Sequence, residues 1–548
     1  MSSLSACLVD VISALDAVAM ILLAVYALHE GILLALYLFH KAIPNLTHDR
    51  SGRRWVRTKQ ASAQASREEG LDREATINRL PHVTVQLPLY NERFVAERVI
   101  AAACALDYPR DRLQVQVLDD STDDTRRIAQ RAVANGRRNG VEIELIHREH
   151  RSGFKAGALA NGLRLVRSEL IALFDADFIP PRDFLQRVIC QHQAFADPQV
   201  GFVQTRWGHL NAEANAITGA QVLLLDMHFV VDQFARSTAG LKMNFNGSGG
   251  IWRREAIEAA GGWQPDTLTE DLDLSYRAQV RGWRGLYLDD VVCPGELPND
   301  VLAFKRQQAR WARGSAQCLR KLTRVIVSSN LTVKGKMAAL LHVSGYFTSV
   351  FALVLALVTP ILMLLVGSRG MQRLPQWLGV ISLAGMTPTL VMFVSQWAQG
   401  RMRAYWRRLP MAVLLGVGVT FSNTAAVLAG LFDKAPGEFV RTPKSVGQTA
   451  HTAAGPRRHA PRERRTSAGR QSYLLQTDWT LHAELALALY TMTACLLLAM
   501  RGDWVAVLPV LIYACGYASV VLGQVAPNIW PLTHGQQREV ASGLQSTK

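Results

Sequence analysis

Residues 11–40 form an apolar run whose interior holds only Asp16, His29 and Glu30 as readily charged side chains. About 20 apolar residues suffice to cross a bilayer. A run this long commits the chain to lipid, and every other segment must then lie in lipid or on one of its two aqueous sides. No Lys or Arg precedes the run, whereas Lys41, Arg50, Arg53, Arg54, Arg57 and Lys59 follow it. That asymmetry places the N-terminus outside and the following segment in the cytosol. A cleaved leader would be shorter and would carry a basic residue before the run. Residues 1–40 are therefore expected to be a retained anchor and 41–80 a basic cytosolic linker.

Apolar character returns after Lys334. Spans are expected at 340–366, 377–399, 481–500 and 504–525. Residues 410–432 are also apolar, but Ser422, Asn423 and Thr424 interrupt them. Arg401, Arg403, Arg407 and Arg408 precede that stretch, and Lys434, Arg441 and Lys444 follow it. Basic residues at both ends predict a re-entrant or interfacial helix within 331–432. A cytosolic segment, 433–478, with a disordered basic insert, a transmembrane hairpin, 479–526, and a tail, 527–548, complete a five-crossing arrangement. The chain has 548 residues, 49% hydrophobic, with a net charge of +16. The basic residues cluster beside apolar runs, which selects the lipid bilayer as partner and argues against nucleic acid. Seven scattered cysteines form no CxxC pair, so neither a disulfide framework nor a Cys/His metal site is expected.

Residues 81–330 read differently. Strands are expected at 83–88, 113–118, 141–146 and 170–174, separated by helical stretches, one opening at Ser152-Gly153-Phe154-Lys155-Ala156-Gly157. Such alternation predicts an α/β domain with a mostly parallel sheet. The fourth strand ends in Phe174-Asp175-Ala176-Asp177. Ligands of parallel sheets bind beyond the carboxyl ends of strands. In an extended segment these two carboxylates share a face. They repel unless one is protonated or a cation lies between them, and a hard divalent ion bridging to a diphosphate is the economical answer. The competing reading is a turn with two solvated aspartates. Two further groups stand out. Thr269-Glu270-Asp271 opens a helix, where acids favour the first turn in any case. Gln307, Arg310 and Trp311 share one helical face, as a sugar site or a helix at the membrane interface would have them.

The ordered set Asp120, Asp175-x-Asp177, Thr269-Glu270-Asp271 and Gln307-x-x-Arg310-Trp311 resembles the processive membrane glycosyltransferases of family 2, which include cellulose synthases and cellulose-synthase-like mannan synthases. Pro88-Leu89-Tyr90-Asn91-Glu92, Lys155-Ala156-Gly157, Val203-Gln204-Thr205-Arg206-Trp207 and Phe245-Asn246-Gly247-Ser248 extend the likeness, and Phe439-Val440-Arg441-Thr442-Pro443-Lys444 resembles the family's gating loop. Arg441 stands where that loop usually has valine.

The resemblance implies a cytosolic GT-A-like (nucleotide-diphospho-sugar transferase) domain inserted between transmembrane helices. It implies an inverting hexosyltransferase that extends a β-linked polysaccharide from UDP-glucose or GDP-mannose, coupled to export. Asp271 would be the general base. Leu89, Glu92, Asp120, Lys155, Asp175, Gln307, Arg310, Thr442 and Lys444 would bind the nucleotide sugar. Asn246, Gly247, Ser248, Glu270 and Trp311 would hold the glycan acceptor, and Asp175 and Asp177 would hold Mg2+ or Mn2+. A bacterial inner membrane and accessory export subunits are part of the same expectation. Two other readings remain open: a glycolipid synthase adding one sugar to a lipid, and an inactive transferase-like scaffold. A DxDxT phosphotransferase is disfavoured because Ile179 stands where threonine is needed. A nucleotide-driven transporter is disfavoured because no GxxxxGK[ST] loop occurs.

Overall fold

The computed structural model describes residues 3–42, 80–371, 385–433 and 479–526. Residues 43–79 of the expected linker, the expected loop 434–478 with Thr442 and Lys444, and the tail 527–548 lie outside the described residues. Helix α1 (Ser3–Ala42) comes first. The α/β domain then runs β1 (Val83–Leu89), α2 (Ala96–Cys104), β2 (Leu113–Asp119), α3 (Thr125–Arg138), β3 (Glu142–His147), α4 (Phe154–Leu163) and β4 (Leu170–Leu173). It continues with β5 (Val200–His209), α5 (Ala216–Asp226), α6 (Gln233–Thr238), β6 (Gly250–Arg253), α7 (Arg254–Ala259), α8 (Glu270–Val280) and β7 (Arg284–Gly295). After it come α9 (Val301–Ser328), α10 (Val333–Val343), α11 (Phe347–Met371), α12 (Thr387–Ala398), α13 (Met402–Gly418), α14 (Thr420–Phe432), α15 (Thr480–Met500) and α16 (Trp504–Val525).

The seven strands lie in the order β3-β2-β1-β4-β6-β5-β7, and β6 alone runs against its neighbours. The apolar strand runs serve two cores, as a sheet covered on both faces requires. Val83, Val85, Leu87, Val115 and Val117 pack with α2 and α3 on one face. Ile171, Leu173, Phe202 and Trp252 pack with α4, α7 and α8 on the other. The four expected strands are β1–β4, each within a residue of its expected bounds. Strand β6 has a positional purpose. Its first residue, Gly250, pairs with Leu173 at the carboxyl end of β4. An antiparallel strand begins where its parallel neighbours end, so the loop before it, 246–249, arrives at the mouth of the sheet.

Among the described residues, four helices are long and apolar enough to cross a membrane: Val9–Ala42, Phe347–Gly367, Thr480–Met500 and Trp504–Val525. Helices α13 and α14 meet at 44° and together pass the same test, so the expected re-entrant segment 410–432 falls on a bent pair. Of the expected span 377–399, residues 377–384 lie outside the described residues. Its described part holds α12, 12 residues long. Gln396 and Gln399 donate to Asp226 at 2.7 and 2.9 Å, which docks this end of the segment on the α/β domain.

Helix α9 joins the two parts. Its Asp300 cap accepts from Ala303 N at 2.7 Å. Five residues on, Lys305 donates to Glu484 of α15 at 2.9 Å and to Gln524 of α16 at 3.1 Å. Both ions of this pair are buried, at 1% and 0% side-chain exposure. Removing one partner of a buried pair strands the other and costs about 3–5 kcal/mol, whereas an apolar pair of similar volume is often tolerated. Glu484→Leu is therefore expected to lower the melting temperature of the full chain in detergent markedly, and Lys305→Met/Glu484→Leu to recover most of the loss. Equal destabilisation by the single and the double change would count against this account.

Candidate active site

One cleft at the carboxyl ends of β1, β2 and β4 gathers most of the expected residues. Leu89, Glu92, Asp120, Lys155, Asp175, Asp177, Asn246, Gly247, Glu270, Asp271, Gln307, Arg310 and Trp311 all line it. Asp175 and Asp177 sit on a turn after β4 rather than on an extended segment, since Phe178 N donates back to Asp175 O at 3.0 Å. Both nonetheless face the cleft.

Lys155, from the first turn of α4, reaches Asp175 at 2.7 Å and Glu270 at 3.7 Å, and donates to Gly247 O at 3.0 Å. Burial opposes its charge, but Asp175, Glu270 and Asp271 together outweigh burial and hold its pKa above the usual lysine value. Gly247 has φ +79°, and a Cβ there would lie 2.8 Å from Asp271 Oδ2 and 3.2 Å from Lys155 Nζ. Only glycine suits both the backbone and the space.

Asp271 lies in the first turn of α8, with Oδ1 accepting from Leu272 N at 2.8 Å. Burial, reinforced by the Glu270 carboxylate, pushes its pKa up to about 7, against the pull of Lys155 and the Leu272 amide. A carboxylate so placed is basic enough to take a proton near neutrality. Thr269 stands at the cap position without capping; its hydroxyl lies 3.4 Å from Cys318 Sγ. Helix α9 holds this segment at close range. A Cβ on Gly314 would meet Thr269 Cγ2 at 2.5 Å. Gln317 accepts from Leu268 N at 2.8 Å, and Lys321 reaches Asp266 at 2.7 Å and Asp273 at 3.0 Å. The helix carrying Gln307, Arg310 and Trp311 thus also fixes Asp271.

One expected role is corrected. Ser248 is buried and does not line the cleft; its hydroxyl accepts from Asp175 N at 2.9 Å and so supports the acidic turn instead of touching an acceptor. Asp120 does line the cleft, and it is held there by Arg148 through two bonds of 2.7 and 2.5 Å. Arg148 also donates to Ser152 O and Phe154 O at 3.0 Å each, which pins the loop opening α4.

Several residues at the site lie outside the expected set. Arg151 lies 3.5 Å over the Tyr90 ring beside the cleft. Trp207 donates to Ser248 O at 3.0 Å and stacks on Phe229. It belongs to a recognisable motif on β5, but only the fold shows that it reaches the site. His228 bonds Asp232 through Nδ1 at 2.8 Å and Asn246 through Nε2 at 3.0 Å. Asp232 in turn accepts from Arg236 at 2.6 Å, and Arg236 lies 2.8 Å from His29 of α1. No sequence spacing signals such a chain.

The donor set suits a divalent cation shared with a diphosphate. Seven carboxylates line the cleft. Asp120 is bonded to Arg148, and Glu296 to Arg98 at 2.6 Å. The other five face three cations, Arg151, Lys155 and Arg310. A diphosphate entering alone would add to that negative surplus. Among the described residues no three His, Cys, Asp or Glu groups converge on one point. That is compatible with Mg2+-type binding, in which one or two carboxylates act with substrate phosphates and water. A second cavity shares Trp207, Leu225, Asn246, Thr269, Asp271, Gln307 and Trp311 with the cleft and runs on past His228, His342 and Tyr346 to Ser349 in α11.

Residues 81–314 match the family model described as "Glycosyltransferase like family 2". Glucomannan 4-beta-mannosyltransferase 2 of Arabidopsis thaliana is 43% identical over 262 residues, covering 47% of this chain and 48% of that protein. Glucomannan 4-beta-mannosyltransferase 1 of Oryza sativa subsp. japonica is 42% identical over 260 residues, covering 47% and 50%. The chain thus matches about half the length of these curated relatives. Both are plant proteins and lend no support to the expected bacterial membrane. The solved mannosyltransferase PcManGT from Pyrobaculum calidifontis, in complex with GDP-Man and Mn2+, is similar at 23% identity with a TM-score of 0.47, covering 76% of this chain and 99% of that one.

Were Asp271 to act as a base, kcat/KM for the acceptor would fall as pH drops through about 7, tenfold per unit at the acid extreme. Glu270→Gln removes a carboxylate that raises the Asp271 pKa, so the acid limb should move to lower pH. A profile that Glu270→Gln leaves in place would reject the assignment.

Proposed function

We propose, for a chain whose residues 81–314 form a glycosyltransferase family 2 domain of the cellulose-synthase-like mannan synthase type, that it is an inverting hexosyltransferase. It would extend a β-linked polysaccharide from a nucleotide-diphosphate hexose and pass the product into the membrane bundle. The observation that carries this reading is the convergence of Asp175, Asp177, Asp271, Arg310 and Trp311 on one cleft that shares walls with a cavity leading to α11.

In this reading Glu92 and Asp120 hold the nucleoside and Arg310 faces the diphosphate. Lys155 neutralises Asp175 and Glu270 until a donor arrives. Asp177 and Asp175 would hold Mg2+ or Mn2+, which supplies positive charge to the leaving diphosphate. Asp271 accepts the proton of the acceptor hydroxyl as that oxygen attacks the anomeric carbon on the face opposite the leaving group, which inverts its configuration. The indole of Trp311 offers a stacking face to the acceptor sugar, and Asn246 offers it an amide oriented by His228. The relatives' name makes GDP-mannose the first donor to try, with UDP-glucose beside it. Sugar hydroxyls cannot lie unsatisfied in lipid; Gln308, His342 and Ser349 in the lining of the second cavity offer them partners, and its aromatic side chains offer stacking faces.

Purified full chain with Mg2+ or Mn2+ and each radiolabelled donor should build a large product that a linkage-specific glycanase digests. Label found only in an organic-extractable lipid would replace this reading with a glycolipid synthase. Asp271→Asn should lower transfer about 10²–10⁴-fold while GDP or UDP binding by calorimetry stays intact; near-normal synthesis by that variant would defeat the role given to Asp271.

A further inference from the structure

A separate pocket lies between the end of β5 and the turn joining α12 to α13. Five guanidiniums line it: Arg206, Arg401, Arg403, Arg407 and Arg408. Only two carboxylates, Glu213 and Asp226, line it with them. These two do not balance the five. Glu213 is bonded to Arg408 and lies 3.9 Å from Arg407. Asp226 is buried and accepts from Gln396 and Gln399, with His209 at 3.3 Å and Arg401 at 3.9 Å. Arg206 donates from Nη1 to the neutral Gln399 at 3.0 Å, while its buried Nε has no hydrogen-bond partner. Arg403 is exposed at the rim. Like charges gathered in a concavity repel unless an anion joins them, and guanidiniums match phosphate oxygens in geometry.

The surroundings identify the source of that anion. Trp397 precedes the lining residues 399–408 and Trp406 stands among them in sequence, at 62% and 63% exposure. Helix α13 begins Met402-Arg403-Ala404-Tyr405-Trp406-Arg407-Arg408 and turns apolar from Leu409 onward, with Arg401 just before it. Exposed indoles beside arginines, at the end of an apolar helix, mark the level of lipid headgroups. Basic pockets beside membrane helices on the cytosolic face hold anionic headgroups. A soluble phosphate would explain the arginines but not the indoles.

We propose that this pocket binds the phosphate headgroup of an anionic phospholipid. The site adjoins the cleft through Trp207, Gly208 and His209, which line both, but none of its arginines lines the cleft.

The full chain in nonionic detergent is given equimolar phosphatidylglycerol and phosphatidylcholine, and bound lipid is read by native mass spectrometry. The intact protein should retain phosphatidylglycerol preferentially. Arg403→Gln/Arg407→Gln should reduce that preference about 30-fold, at about fivefold per guanidinium, while nucleotide binding is unchanged. Glu213→Gln removes an opposing charge and should increase the preference. Equal retention of the two lipids by the intact protein, or no response to either variant, overturns the proposal. Displacement of phosphatidylglycerol by inorganic phosphate at millimolar concentration assigns the pocket to a soluble anion and overturns the lipid source.

Discussion

Helix α9 has two obligations that constrain everything near it. One end is seated among membrane helices by a fully buried ion pair, Lys305–Glu484, shared with Gln524. Within the next two turns it presents Gln307, Arg310 and Trp311 to the cleft, and a turn after that Gly314 presses on Thr269. A buried charge pair is weak evidence for net stability but tolerates little displacement, because separating its members exposes each to the cost of desolvation. The pair therefore acts as a locator. It sets how far α9 projects, and through Gly314, Gln317 and Lys321 it also sets where Asp271 sits.

The second constraint comes from the sheet. A purely parallel sheet could bring only the ends of its strands to the mouth. By inserting β6 against the grain, the fold brings a glycine-rich loop there as well, and Gly247 lets its backbone approach both Lys155 and Asp271. Lys155 thus meets the turn after β4, the loop before β6 and the start of α8 at once. Its raised pKa reflects a cation surrounded by acids, and the surplus of acids that remains makes the cleft receptive to a further positive charge.

The first four strands were legible in the sequence within a residue of their bounds, because apolar residues recur at every second position in β1, β2 and β3 and run unbroken through β4. The structure also brings most of the singled-out acids, with Gln307, Arg310 and Trp311, to one cleft. Ser248 was misread because a small hydroxyl looks the same whether it meets a substrate or braces a neighbouring amide. Apolar composition also could not show that the end of 377–399 is laid on a domain; Asp226, which docks it, lies 170 residues before Gln396. Lys305 and Glu484, 179 residues apart, carry no local pattern at all. The chain His29–Arg236–Asp232–His228–Asn246 was equally invisible, since it links α1 to the cleft only through folding.

The separation of Lys305 from Glu484 also orders events in time. Ribosomes release a chain from its N-terminus, so α9 exists as a helix-forming segment long before α15 and α16 emerge. Until they do, the ammonium of Lys305 has neither Glu484 nor Gln524 to meet it, and it can stay hydrated only if that end of α9 remains outside the bundle. The sheet can assemble in this interval, because all seven strands precede α9. Its final clamp on Asp271 cannot, because α9 is not yet seated. The last two apolar helices therefore act as a completion signal: the α/β domain reaches its final geometry only after α15 and α16 are in place, and in a half-made chain the cleft is unfinished.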